Sequence, residues 1–254
     1  MNMALIGYGK MGQMVQRVAE ERKHRIVSII DVSNKKAMFR EINKGSVKDA
    51  DVCIDFTAPE SAIENIKKVS SLGKNIVVGT TGWYSHIQEA GEIVKKSGVG
   101  CIYASNFSIG MNIMFGLTEY ASRIFDRFDA YDAAGFEMHH NKKADSPSGT
   151  AKSLAEIMKA NISRKKRIVY DMVNRRIEPD ELHFASLRIG SVPGTHKIIF
   201  DSIADTIELS HTARSREGFA LGAVLAAEWL RGKKGFYTIN DFMKEIMHPD
   251  SGKH

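Results

Sequence analysis

The sequence predicts an α/β protein, with a doubly wound parallel sheet in one domain and a smaller α+β domain beside it in the chain. Three observations carry that expectation. Over the first hundred residues, short apolar runs alternate with stretches of helical periodicity, as right-handed βαβ units do. The first apolar run leads directly into Gly7-Tyr8-Gly9-Lys10-Met11-Gly12, the spacing of a Rossmann-like dinucleotide turn. From residue 182 to 211, short alternating runs follow one another on tight turns, which indicates antiparallel strands.

Taken in order, residues 3–6, 26–30, 52–56, 76–78 and 101–103 are apolar enough for strands buried on both faces. Residues 11–21, 59–72 and 84–96 between them carry helical periodicity. The character changes after Asn106. Residues 112–125 read as a helix and 130–140 as a strand, and Ser146-Pro147-Ser148-Gly149-Thr150 opens the next helix, with Ser148 as its cap. Runs at 182–189, 196–203 and 205–211 follow, the first two joined by the turn Val192-Pro193-Gly194-Thr195 and expected to pair. A helix over 217–230 and a short helix capped by Asn240 end the chain.

Composition narrows the class. The chain has 254 residues, 43% hydrophobic and 26% charged, enough to bury a core without disulfide staples. Its two cysteines, Cys53 and Cys101, both sit in apolar runs, which points to a reducing compartment. The net charge of +6 suits small anionic ligands. A nucleic-acid surface would want aromatics interleaved with more charge, so Arg164-Lys165-Lys166-Arg167 reads as a solvated helix end or loop. Residues 1–7 read as the start of a strand, not as a signal peptide. The longest apolar stretch, 219–230, is broken by Glu228 and does not span a membrane. The expectation is a soluble cytoplasmic protein.

In the glycine turn, Gly7 allows the tight bend, Gly9 lets the backbone of Tyr8, Lys10 and Met11 approach a pyrophosphate, and Gly12 lets helix and strand pack closely. The amides of the helix start then face that anion. A second strand ends in Asp31, nineteen residues after Gly12, where an acid meets the adenosine ribose. Gly79-Thr80-Thr81-Gly82 and Ala104-Ser105-Asn106-Phe107 follow later strands, at the end of the sheet where such folds bind ligands. Asp31 favours NADH, because it would repel the 2′-phosphate of NADPH, and Val32 offers no guanidinium to offset it. Lys35 and Lys36 are the cations expected to fold back, so NADPH is still accepted.

Residues 137–150 pack two histidines, lysines and an aspartate into a polar segment before a helix start. Free amides of such a start suit a carboxylate, a lysine adds full charge, and a histidine is the natural proton donor near neutral pH. His139 and His140 point to opposite faces of a strand and so chelate a metal poorly; no metal is expected.

The same residues resemble the 4-hydroxy-tetrahydrodipicolinate reductase (dihydrodipicolinate reductase) family. Its signature is met by His139, His140, Lys143, Asp145, Pro147, Ser148, Gly149, Thr150 and Ala151. Similar segments include the glycine turn, Asp55-Phe56-Thr57, 79–82, 106–110, 190–196 and Gly222-Ala223. The departures are Ser105 for proline or alanine, Ser146 for alanine, and Val32 where some members carry an arginine. The resemblance implies His139 as catalytic proton donor, Lys143 as second catalytic residue, and His140, Gly149 and Thr150 on the substrate carboxylates. It implies a dinucleotide domain of residues 1–107 with 216–254. Residues 108–215 would be a mixed-sheet α+β domain that binds substrate and builds a homotetramer. The reaction implied is NAD(P)H-dependent reduction at ring C4 with loss of water, in lysine and diaminopimelate biosynthesis. Two other readings share the glycine turn: another dehydrogenase, such as a semialdehyde enzyme with a cysteine nucleophile, and a dinucleotide-sensing module.

Overall fold

The computed structural model describes residues 1–247; residues 248–254 of the expected first domain lie outside the described residues. The chain divides into two units, residues 1–109 with 216–254, and residues 110–215.

The first unit holds strands β1 (Asn2–Ile6), β2 (Arg25–Ile30), β3 (Val52–Asp55), β4 (Asn75–Val78) and β5 (Gly100–Tyr103). Helices α1 (Lys10–Glu21), α2 (Lys44–Val47), α3 (Pro59–Ser71) and α4 (Ile87–Ser97) alternate with them. Every strand pairing is parallel, and β1 lies between β3 and β2, so the winding reverses there. Strands β1, β3, β4 and β5 are buried on both faces and alternate between two cores, whereas the edge strand β2 is partly open. Met3 and Leu5 of β1 and Ile54 of β3 pack with Val15 and Val18 of α1. Ala4, Ile6 and Cys53 face the other way, onto Ile66 of α3 and Val94 of α4. Two cores on one sheet are the period-two alternation of a doubly wound fold.

The second unit begins with most of α5 (Ile109–Phe125), then β6 (Asp132–His139) and α6 (Gly149–Asn161). It continues through β7 (Arg167–Val169), β8 (Glu181–Arg188), β9 (Thr195–Asp201) and β10 (Thr206–Thr212). Its sheet runs β10-β9-β6-β8-β7, with β6 parallel to β8 and antiparallel to β9. The expected β8–β9 hairpin is therefore corrected: β6 lies between those two strands. The turn at 192–195 returns the chain across β6, and the hairpin is β9 with β10. Leu182, Phe184, Ile198 and Phe200 form the core with Leu154 and Met158 of α6.

The chain then returns to the first unit with α7 (Glu217–Trp229), β11 (Gly235–Thr238) and α8 (Ile239–Met247). β11 adds a sixth strand beside β5 that the sequence reading lacked. Asn240 lies inside α8; the group at that helix start is Asp241, which accepts from the amide of Thr238 at 2.7 Å. The basic run 164–167 is not uniformly solvated either. Lys165 is buried, with its ammonium 2.6 Å from Asp132 and on the carbonyls of Pro179 and Glu181. Among the described residues no helix is long and apolar enough to cross a membrane.

Candidate active site

The glycine turn sits at the carboxyl end of β1, where the winding reverses. Gly7 has a φ of +86°, and a side chain on Gly12 would collide with the Gly7 carbonyl, so helix and turn can close only with glycine there. Gly9 caps α1 without a side-chain hydrogen bond, and a β-carbon on it would meet no protein atom within 4 Å. The first amides of α1 are therefore open to an anion, with no acidic residue in the first turn. These residues fit a pyrophosphate-bearing dinucleotide.

Asp31 is anchored in the loop after β2. Its Oδ1 accepts from the amides of Ser33 and Asn34 and the hydroxyl of Ser33, and its Oδ2 from the amide of Tyr8 at 2.7 Å. Burial works to raise the pKa of this carboxyl, but these backbone hydrogen bonds outweigh it and hold the pKa below the usual range. One oxygen is fully engaged, so Oδ2 is the one with capacity left for a ribose hydroxyl. A cleft of about 330 Å3 runs along these strand ends, lined by Gly7, Gly9, Asp31, Arg40, Thr57 and Lys68 among others. Its cations are Arg40 and Lys68; Lys35 and Lys36 do not line it.

The other residues expected to meet a nucleotide also lie at strand ends, but several offer backbone only. Thr80 is buried and donates its hydroxyl to Asp55 at 2.8 Å. Asp55, fully buried, also takes the hydroxyl of Thr57 and the amide of Asn65, and burial raises its pKa. Ala104 and Phe107 belong to the core. Gly79, Thr81, Ser105 and Asn106 are open or partly open, as are Lys10 and Met11. Tyr8 is buried.

In the second unit, the core face of the sheet turns polar at one end. Ala133 and Gly135 of β6 give way to Glu137 and His139 on the same face, as period-two alternation requires. On β8, Leu182 and Phe184 give way to Ser186 and Arg188, in register with Glu137 and His139. On β9, Phe200 and Ile198 give way to His196, opposite Glu137. Three strands thus deliver polar groups to one buried patch, and α6 begins over it.

Glu137 organises that patch. Its Oε1 accepts from the amide of Ser148, the hydroxyl of Ser186 and the guanidinium of Arg188, each at 2.9 Å. Its Oε2 lies 2.8 Å from Nδ1 of His139 and 3.7 Å from Nε2 of His196. Burial would raise the pKa of Glu137, but hydrogen bonds from Ser148, Arg188 and Ser186 hold it down to about 2. Burial lowers the pKa of His139 against the pull of Glu137, and lowers that of His196 to about 4, with His139 adding to the effect. Glu137, His139 and His196 offer ligand atoms within 4.8 Å of one another, a spacing a metal ion could bridge. The guanidinium of Arg188 already compensates the charge of that carboxylate.

Ser148 caps α6, its hydroxyl accepting from the amide of Ala151. The amides of Gly149 and Thr150 lie in the first turn, which has no acidic residue. Lys143 lies 2.6 Å from Asp145, whose carbonyl accepts from Arg188. His140 follows β6 with its Nδ1 buried. The structure thus joins His139, Lys143 and the start of α6 through Glu137, Asp145 and Arg188. The sequence reading assigned no role to Glu137, although it stands two residues before His139 on one strand. Arg188, His196 and Arg40 carried no comparable local signal.

Two family models match the chain. One described as the N-terminus of dihydrodipicolinate reductase covers residues 1–107, and one described as its C-terminus covers residues 110–243. A relative from Christiangramia forsetii, named 4-hydroxy-tetrahydrodipicolinate reductase, is 39% identical over 97% of this chain and 99% of its own. One of the same name from Archaeoglobus fulgidus is 36% identical over 93% of this chain and 96% of its own. A solved structure titled dipicolinate-bound dihydrodipicolinate reductase, from Paenisporosarcina sp. TG-14, is similar with a TM-score of 0.78. It is 22% identical, covers 94% of this chain and 98% of its own, and speaks to the fold.

Proposed function

The chain belongs to the dihydrodipicolinate reductase family, and from that premise we propose how its own residues carry the reaction. The activity is reduction of 4-hydroxy-tetrahydrodipicolinate in lysine and diaminopimelate biosynthesis, with a nicotinamide cofactor. A bound nicotinamide supplies the hydride that reaches ring C4. The amides of Gly149 and Thr150, with His140, hold the substrate carboxylates, and the positive end of α6 favours them there. Lys143 is the second catalytic residue, and a substrate carboxylate competes with Asp145 for its ammonium. His139 gives the proton that the ring takes up as water is lost. The observation that supports this reading is that one buried carboxylate, Glu137, accepts from the amide of Ser148 at the start of α6 and lies 2.8 Å from Nδ1 of His139.

Gly7 to Gly12, Asp31, Gly79 to Thr81 and Ala104 to Phe107 form the cofactor side. NADH is preferred through Asp31, and NADPH is accepted through Arg40 and Lys68. The protein works in the cytoplasm as a homotetramer; the unpaired edge of β10, with Ile207 exposed, supports assembly through the mixed sheet. The semialdehyde reading lacks its nucleophile, because burial raises the Cys53 thiol to about 12 and also pushes Cys101 up. Oxidation of NADH by the purified protein with freshly generated substrate tests the assignment. Full turnover with His139→Gln would remove its proton donor, and light scattering tests the tetramer.

A further inference from the structure

Beyond the residues expected to touch substrate, the buried patch holds a carboxylate oxygen without a hydrogen-bond donor. Oε2 of Glu137 and Nδ1 of His139 are both buried, lie 2.8 Å apart, and have no aligned hydrogen-bond partner elsewhere. A buried carboxylate oxygen without a donor is costly, and the free energy at stake exceeds that of an ordinary surface pair. The nearest alternative donor, Nε2 of His196, is 3.7 Å away and lies 3.4 Å from the hydroxyl of Ser148. At 2.8 Å, a hydrogen on Nδ1 directed to Oε2 would satisfy both atoms.

The opposite edge of that ring lies against a residue without a side chain. Nε2 of His139 faces the α-carbon of Gly194, where a β-carbon would stand 2.9 Å from it. We propose that Glu137 is a positioning residue for the reaction, holding His139 in the Nδ1–H tautomer so that Nε2 is the atom that transfers the proton. This rests on the reading of His139 as the donor. Protonated His139 gives up its Nε2 proton and is left neutral with hydrogen on Nδ1, the form that Glu137 selects. A merely structural role, anchoring the start of α6, needs only Oε1. The other charged or titratable groups around the ring are Lys143 and Asp145 from the loop, Arg188 from β8 and His196 from β9. His211 of β10 acts on His196 in turn.

Glu137→Gln separates the two roles. Three donors converge on Oε1, so the amide oxygen of the substituted side chain would have to stay there. Its NH2 group would then face Nδ1 and donate to it, which reverses the tautomer to Nε2–H. Nitrogen-15 NMR of labelled histidines, with the His139 signal assigned through His139→Gln, reads this directly. The expected result is the Nδ1–H form in the wild type and the Nε2–H form in the variant. With the reversal, kcat should fall about 10²- to 10⁴-fold while the substrate KM moves by less than about threefold. A wild-type ring in the Nε2–H form overturns the proposal without any variant, and so does a variant whose kcat stays within about threefold. If His139→Gln keeps full turnover, the proton-donor reading fails instead. The wild-type tautomer then still reports whether Glu137 orients the ring.

Discussion

The ammonium of Lys143 and the carboxylate of Asp145 stand 2.6 Å apart, although only a single residue separates them in the chain. Asp145 is more than half exposed, whereas Lys143 is mostly covered. An exposed partner is easily exchanged for another anion, because surface pairing contributes at most about 1 kcal/mol. Lys143→Ala should therefore lose several kcal/mol of transition-state stabilisation, since about 1.4 kcal/mol is tenfold in rate. Asp145→Asn should leave kcat within about threefold and lower the substrate KM, by freeing the lysine. Steady-state kinetics checks both; unchanged turnover in Lys143→Ala would make Lys142 the candidate.

The two histidines should separate by role. Loss of a general acid typically costs about 10²- to 10⁴-fold, so His139→Gln should reduce kcat in that range and leave NADH binding intact. His140→Ala should act on substrate KM. Kinetics with fluorescence titration of NADH measures both, and the reverse pattern would exchange the assignments.

Gly194 gives a steric test. It has a φ of +155°, and a β-carbon there would lie 2.9 Å from Nε2 and 3.2 Å from Cδ2 of His139. Gly194→Ala should cost about 1–3 kcal/mol of stability through backbone strain. By crowding the nitrogen that transfers the proton, it should also lower kcat about tenfold or more. NADH affinity, set in the first unit, should not move. Urea unfolding and initial rates measure the two effects, and full kcat with reduced stability would show that Nε2 works from another side.

How much of this was legible follows from what is local. The glycine turn, the alternating strands of the first unit and the helix start at Ser148 are short-range patterns, and they were readable. The polar end of the second sheet was not, because Glu137, Arg188 and His196 meet only through register across β8, β6 and β9. The same topology defeated the expected β8–β9 hairpin: a tight turn reads as pairing unless another strand lies between. β11 was missed because Gly235-Phe236-Tyr237-Thr238 is too short to stand out beside α7. Arg40 went unseen because its place beside Asp31 depends on how the loop after β2 folds back.

Acid stability should carry the mark of His196. Burial keeps it neutral in the fold down to about 4, against an ordinary 6.5. Between these values the unfolded chain binds the extra proton, so stability rises with pH across the window and falls as acid is added. The contribution is about 3 kcal/mol at most, shared with its coupled neighbours. His196→Gln should flatten stability between about pH 6.5 and 4.5. Below that, the lowered pKa of Glu137 adds a second loss, because its favoured anion is protonated as pH falls towards 2. Urea unfolding across pH checks the window; an equally steep variant would assign the slope to other groups.

Cofactor choice should follow the balance around Asp31. Its carboxylate is held ionised by the amides of Tyr8, Ser33 and Asn34, so it meets the 2′-phosphate of NADPH as a like charge. Arg40 lines the same cleft, with Nη1 already donating to the carbonyls of Asp31 and Asn34. Those bonds fix the guanidinium in place, and the rest of its fork can still meet a phosphate. Lys68 adds a second cation, itself 3.7 Å from Glu64 and so partly compensated. The balance favours NADH by about tenfold or less, since about 1.4 kcal/mol is one decade. Arg40→Ala should reduce kcat/KM for NADPH by about tenfold or more and leave the value for NADH within about threefold. Lys35→Ala combined with Lys36→Ala should change neither, because those side chains do not line the cleft. The measurement is the ratio of kcat/KM for the two cofactors at fixed salt, because phosphate contacts are screened. An unchanged ratio in Arg40→Ala, with loss in the lysine pair, would return the phosphate to Lys35 and Lys36 and require the loop after β2 to close over the cofactor.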